Sequence, residues 1–81
     1  MPMDDQIKEL FATLLRVSPD CIEDQTSPLN LDNWDSIQHL IVVAAFEEEF
    51  GLDLDPEDAV EMYRDFRTFR EIVRQRMASG R

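Results

Sequence analysis

The segment from residue 36 to residue 50 constrains the fold of this chain more than any other part of the sequence. Its apolar residues recur at helical spacing, Asp35 precedes it as a good N-cap, and Gly51 follows it as a suitable C-terminal cap. A chain of 81 residues cannot readily bury such a helix on all sides, so its second apolar face is expected to meet a partner. The core-facing set is His39, Val42, Val43, Phe46 and Phe50, and the second set is Ile37, Leu40, Ile41, Ala44 and Ala45.

Three further helices are predicted from the same kind of pattern. Residues 4–16 have the spacing of an amphipathic helix. Asp55 followed by Pro56 opens a short helix, as an N-cap followed by proline at the first helical position. Thr68 and Glu71 form a capping box that opens the last helix. Because no segment alternates as a strand does, the sequence predicts an all-α, four-helix bundle with a short third helix.

The connection over residues 18–35, between the first and second helices, is long for a small domain. A loop of this length is usually functional or disordered. Three spaced apolar residues favour an ordered loop that is tacked to the core: Ile22, Leu29 and Leu31. We expect one domain over residues 1–81, with a core over approximately 5–77 and a frayed C-terminal tail at 79–81.

The charge distribution limits the possible partners. Residues 17–63 contain thirteen acidic residues and no Lys or Arg, and the net charge of the chain is -10. Such a block repels nucleic acid and anionic membranes and attracts basic protein surfaces, although it is also typical of a soluble acidic protein that avoids aggregation. The single cysteine allows no internal disulfide, which fits a reducing cytoplasm, and no apolar run approaches the length of a membrane span.

Asp35 and Ser36 are the candidate site, because they stand where the long loop enters the second helix. The free backbone N–H groups and the dipole at a helix N-terminus favour a negative group, so a phosphodiester on the Ser36 hydroxyl would suit this position. Asp35 could help to hold a divalent metal or to orient a modifying enzyme. The alternative is that both residues are ordinary helix caps.

At these residues the sequence resembles the acyl carrier protein family. The stretch Leu31-Asp32-Asn33-Trp34-Asp35-Ser36-Ile37, followed by Phe46-Glu47-Glu48-Glu49-Phe50-Gly51, is similar to that family's Asp-Ser-Leu motif and the acidic end of its second helix. The resemblance covers roughly residues 5–77. It includes the long loop and the starts of the third and fourth helices.

The resemblance implies a carrier rather than an enzyme. Ser36 matches the serine that receives 4′-phosphopantetheine from coenzyme A through a phosphopantetheinyl transferase, and Asp35 matches the acid beside it. The arm carries acyl groups as thioesters to acyl-loading and acyl-transfer enzymes with basic docking surfaces. The expected protein is a cytoplasmic monomeric phosphoprotein of fatty acid or polyketide biosynthesis, without bound metal. The expected docking residues are Trp34, Ile37, Leu40, Ile41, Ala44, Glu47 and Glu48.

Four residues depart from the family's pattern. Ile37 replaces Leu, and Trp34 replaces a small residue. A large aromatic side chain there should cover the base of the arm or meet a partner, or else pack the loop onto the bundle. Gln38 and Ile41 stand where many fatty-acid carriers have acids, which favours a dedicated pathway with its own partners. The cargo stays open among fatty acyl, polyketide, aminoacyl and sugar-modifying acyl groups.

Other functions are weighed against the carrier. An acidic helical interaction module without a prosthetic group would use the same apolar face, with Ser36 only a cap. Catalysis by Cys21 and His39 has thin support, since Cys21 is expected to be a small buried residue and His39 faces the core. The acidic run over 53–58 lacks the glycine and the glutamate of a calcium loop.

Overall fold

The computed structural model describes residues 3–79. Four α-helices lie in this range: α1 Met3–Leu15, α2 Ser36–Phe50, α3 Pro56–Met62 and α4 Phe66–Ser79. The long connection between α1 and α2 contains one 3-10 turn, Pro19–Cys21. No strand occurs between residues 3 and 79, which confirms the all-α class with a long loop and a short third helix. Of the expected C-terminal tail at 79–81, Ser79 is the last residue of α4, and Gly80 and Arg81 lie outside the described residues.

The core is built around a cluster of aromatic rings. The Phe11 ring of α1 lies 4.9 Å, centroid to centroid, from each of the Trp34, Phe66 and Phe69 rings. Phe46 of α2 packs edge-on against Phe69 at 4.8 Å. Fully burying one such ring stabilises a fold by about 1.5–3 kcal/mol, so these contacts hold α1, α2 and α4 together.

The loop between α1 and α2 is ordered by contacts with its neighbours. Ile22 is fully buried, as expected for an anchor. The backbone N–H of Phe66 donates to the Thr26 carbonyl at 2.7 Å, which ties the loop to the start of α4. The side-chain amide of Asn33 donates to the Leu15 carbonyl at 2.9 Å, which ties the loop to the end of α1. The expected anchor Leu29 is 96% exposed, so that prediction was wrong.

The N-cap of α4 differs from the sequence prediction. The helix begins at Phe66, and the backbone N–H of Thr68 donates to Asp65 Oδ1 at 2.8 Å. Asp65 is therefore the N-cap, and Thr68 is the third residue of the helix. The physical reason is packing: Phe66, which is 1% exposed, enters the core as the first helical residue. Because Phe66 is the first helical residue, the cap is Asp65, the residue directly before it.

Arginines of α4 bind acidic residues on the other elements. Arg76 donates two hydrogen bonds to the Asp58 carboxylate of α3, at 2.8 and 2.9 Å. Arg70 binds Asp24 of the loop at 2.7 Å. A third pair, between Arg74 and Asp4 at 2.7 Å, reaches α1. The arginines of α4 thus neutralise some of the acidic residues in the rest of the chain.

Candidate functional site

Ser36 is the first residue of α2, and the helix start around it is well defined. Asp35 has an extended backbone, and its Oδ1 accepts the backbone N–H of Gln38 at 2.8 Å. This confirms Asp35 as the N-cap. The Gln38 side chain returns no hydrogen bond to Asp35 among residues 3–79, so the capping box is only half formed. At the other end Gly51 adopts the left-handed backbone, with φ 65°, that a C-terminal cap requires.

The Ser36 hydroxyl is available for modification. The residue is exposed, and its hydroxyl makes no hydrogen bond within the described part of the chain. The unpaired N–H groups of the first turn and the dipole of a 15-residue helix favour a negative group at this position. An attached phosphodiester therefore fits the site both sterically and electrostatically. In residues 3–79 no three His, Cys, Asp or Glu side chains cluster as a metal site.

Trp34 does not lie on the surface, although we expected it among the docking residues. Its side chain is 1% exposed and packs edge-on against Phe11. Its indole Nε1–H donates to Nδ1 of His39 at 3.0 Å. A buried indole needs such an acceptor, and α2 supplies it inside the bundle. The docking assignment of Trp34 was therefore wrong, and the alternative that it packs the loop onto the bundle is confirmed.

His39 connects the loop before Ser36 to α3. Because an indole N–H can only donate, Nδ1 of His39 must be unprotonated, and its proton resides on Nε2. That nitrogen lies 2.7 Å from the carbonyl oxygen of Ala59 and donates to it. Burial lowers the pKa of His39 from its ordinary value of 6.5, although the bond to Ala59 opposes the shift. Sequence reasoning missed this chain of bonds. The signal for it in the sequence was that Trp34 and His39 lie close together, on either side of the Asp35 cap.

Cys21 and His39, for which the sequence offered only thin support as a catalytic pair, do not form one in the structure. Cys21 is exposed on the 3-10 turn, whereas His39 is buried with both ring nitrogens bonded to other groups. The expectation that Cys21 is buried was therefore wrong. The turn holds its backbone at the surface, where Ser18 caps the first residues.

The second apolar face of α2 is on the surface, as the sequence predicted. Ile37 is 69% exposed, Leu40 is 66% exposed and Ile41 is 50% exposed. Ala44 and Glu48 are exposed farther along the same helix, and Glu47 is half-buried. Glu47 has a structural use as well, because its carboxylate accepts the backbone N–H of Leu54 at 3.2 Å.

Val60 of α3 is a surface residue that sequence reasoning did not single out. It is 74% exposed. It follows Ala59, whose carbonyl binds His39 of α2. Its signal in the sequence was only an apolar residue in a short helix, which most often faces a core.

None of the helices within residues 3–79 is both long enough and apolar enough to cross a membrane.

Two comparisons with known proteins agree with this geometry. A family model described as a phosphopantetheine attachment site matches residues 5–75. The acyl carrier protein of Zymomonas mobilis subsp. mobilis is 39% identical over 57 residues. That alignment covers 70% of this chain and 72% of the relative.

Proposed function

Because the chain belongs to the acyl carrier protein family, whose members bear 4′-phosphopantetheine on a serine, we propose that Ser36 is that serine. Members of this family are carriers and not catalysts. The observation that carries the assignment is the exposed, unbonded Ser36 hydroxyl at the first position of α2.

The residues around Ser36 have distinct roles in this function. The bound arm supplies a terminal thiol that holds an acyl group as a thioester. Asp35 caps α2 and so fixes the position of Ser36. The N–H groups of the first turn that remain unpaired would favour the negative charge of the phosphodiester. Trp34 and His39 hold the loop against the bundle, so that the arm is mounted on a rigid base.

The exposed face of α2 is the proposed docking surface. It consists of Ile37, Leu40, Ile41, Ala44, Glu47 and Glu48. Near Ser36 this surface is apolar, and its acids lie at the far end of the helix. Partner enzymes should therefore present an apolar contact beside their active-site entrance and a basic patch farther away. These partners are a phosphopantetheinyl transferase and enzymes that load and transfer the acyl group.

The setting of this carrier follows from the same features. Gln38 and Ile41, which replace acids of many fatty-acid carriers, favour a dedicated pathway over general fatty-acid synthesis. A carrier that must leave each enzyme needs only a small interface, below about 1,200 Å². We therefore propose a monomer that works in trans on several enzymes. A reducing cytoplasm suits both the thiol of the arm and the exposed Cys21.

Intact mass spectrometry tests the attachment site. The protein is incubated with coenzyme A and a promiscuous phosphopantetheinyl transferase. We expect the mass to increase by one phosphopantetheine. Ser36→Ala should abolish the increase, whereas Ser18→Ala, at another exposed cap position, should not change it. A wild-type protein that gains no mass with any transferase would contradict the assignment and favour an interaction module without a prosthetic group.

A further inference from the structure

A groove lies between α1 and the C-terminal end of α2, and its volume is about 370 Å³. Leu10 of α1 and Phe50 of α2 are half-buried and form its apolar part. The Phe50 ring packs against the buried ring of Phe46, at 5.5 Å between centroids. Four exposed polar residues complete the lining: Gln6, Glu9, Thr13 and Glu49. The groove therefore combines an apolar contact area with a polar rim.

The charged residues of this groove are both acidic, and neither has a counter-ion in the chain. The side chains of Glu9 and Glu49 make no ion pair or hydrogen bond with any residue between 3 and 79. No Lys or Arg lines the groove, and Lys8 of α1 lies instead close enough to Asp24 for their charges to interact. Two other cavities, of about 310 and 330 Å³, are each lined in part by arginine. This groove therefore offers two carboxylates to a cation from another molecule.

The end of α2 adds to the negative potential of the groove. Phe50 is the last residue of α2, and Gly51 caps the helix in the left-handed conformation. The carbonyl groups in the last turn of a helix carry a partial negative charge, which favours a cation nearby. No basic residue stands in the last turn of α2 to satisfy it. The two carboxylates and the helix end thus favour the same kind of ligand.

The groove is separate from the proposed docking surface of α2. Glu49 and Leu40 are nine residues apart, which amounts to two and a half turns at about 3.6 residues per turn, so they lie on opposite sides of the helix. Ser36 is at the other end of α2, roughly 20 Å away along an axis that rises ~1.5 Å per residue. A protein bound in the groove therefore leaves Ser36 and the exposed apolar face of α2 accessible.

We propose that this groove is a second docking site, which binds a basic segment of a partner protein with a large apolar side chain between Lys or Arg residues. The apolar side chain contacts Leu10 and Phe50, and the flanking cations pair with Glu9 and Glu49. A polyamine would pair with the carboxylates but would leave the apolar area in water. This site does not depend on attachment at Ser36. A partner held here keeps the carrier at a high local concentration near its enzymes while the other end of α2 exchanges between them.

NMR spectra of the ¹⁵N-labelled full chain test the site. The probe is the peptide acetyl-Lys-Leu-Leu-Lys-amide, titrated at low ionic strength. We expect saturable shifts of the backbone amides of Leu10, Thr13 and Glu49. The double variant Glu9→Gln/Glu49→Gln should raise the Kd about four- to twentyfold, since each exposed ion pair contributes a factor of about two to five. A peptide with Ala in place of both Leu should bind about fivefold more weakly, because it buries less apolar surface.

The matched control is the double variant Glu23→Gln/Glu61→Gln, which removes the same charge from two exposed residues outside the groove. It should leave the Kd within about twofold of the wild-type value, because distant exposed charges are screened. Equal weakening in both double variants would show that the peptide responds only to the net charge of the chain, and would overturn the site.

Three further results would also overturn the proposal. The first is the absence of saturable shifts in the groove, or their appearance at Ile37 and Leu40 instead. The second is equal affinity for the Leu and Ala peptides, which would remove the apolar contact. The third is a shift of the groove amides that grows with protein concentration in the absence of peptide, which would assign the groove to a second copy of this chain.

Discussion

Single residues around Ser36 act through the hydrogen bonds that they satisfy inside the bundle. Trp34 and His39 are both buried, and the indole N–H of Trp34 donates a hydrogen bond to Nδ1 of His39. The Ala59 carbonyl completes the set by accepting the second N–H of this chain of bonds. A buried polar group lowers the free energy of unfolding when it loses its hydrogen-bond partner. The base of the proposed arm is therefore sensitive to changes at His39.

The first prediction concerns the variant His39→Phe. A phenyl ring occupies similar space but leaves the Trp34 indole and the Ala59 carbonyl without partners. We expect the free energy of unfolding in urea to fall by about 1–3 kcal/mol for each group that loses its bond. Tyr63→Phe is the control, because the Tyr63 ring touches His39 but its hydroxyl makes no hydrogen bond in the described chain. Equal losses in both variants would contradict this account.

The second prediction concerns the strained backbone at Arg16. Because the left-handed conformation costs a residue with a side chain roughly 1–2 kcal/mol, Arg16→Gly should stabilise the unloaded protein by about 1 kcal/mol. Urea denaturation measures this gain. Arg16→Ala removes the same charge but keeps the strain, so it should show no such gain. A gain of equal size in Arg16→Ala would show that relief of backbone strain is not responsible.

At the scale of elements, helix starts and exposed faces decide what each helix does. α2 buries one face, on which Val42 and Phe46 are fully enclosed, and exposes another. α4 starts where Asp65 can cap it and where Phe66 can enter the core. The first feature follows from periodicity local in the sequence and was predicted. The second depends on Phe66 reaching the core, and the sequence analysis misplaced it.

The third prediction distinguishes the two possible caps of α4. Replacing an N-cap by alanine costs about 1 kcal/mol, so Asp65→Ala should lower the free energy of unfolding by that amount. Thr68→Ala should cost less, since the Thr68 side chain makes no hydrogen bond within residues 3–79. Urea titrations of the two variants provide the comparison. A larger loss in Thr68→Ala would restore Thr68 as the cap.

The fourth prediction concerns the exposed face of α2. Leu40→Asn, on the proposed docking surface, should lower kcat/KM of a phosphopantetheinyl transferase for the carrier by about tenfold, or ~1.4 kcal/mol. Leu29→Asn is the matched control, because Leu29 is 96% exposed but lies on the loop. Circular dichroism of both variants checks that the helices are retained. Equal kinetics for the two variants would argue against docking through α2.

For the molecule as a whole, stability depends on a few ionisable groups that join distant elements. Hydrogen bonds from Arg70 and Arg76 hold the pKa values of Asp24 and Asp58 below the ordinary 3.8. Burial lowers the pKa of His39, which is the single histidine of the chain. All three groups bind a proton more weakly in the folded state than in the unfolded state. Stability must therefore fall as the pH is lowered through their titration ranges.

The fifth prediction is a loss of stability in two pH windows. In the first, below 6.5, the unfolded chain takes up a proton at His39 that the folded protein resists. In the second, below 3.8, the same occurs at Asp24 and Asp58. Urea unfolding at each pH, followed by the fluorescence of Trp34, measures both losses. His39→Phe should lack the first loss and keep the second. A first loss that persists in that variant would assign it to other groups.

Local pattern alone determined the four helices, the Asp35 cap and the exposed apolar face of α2, because capping and helical periodicity act between residues close in sequence. Tertiary structure decided the burial of Trp34, the exposure of Leu29 and the capping of α4 by Asp65. These depend on which side chain reaches a partner across the bundle, such as His39 for Trp34. It also decided that the end of α1 lies beside the start of α2, since the two meet only when the long loop folds.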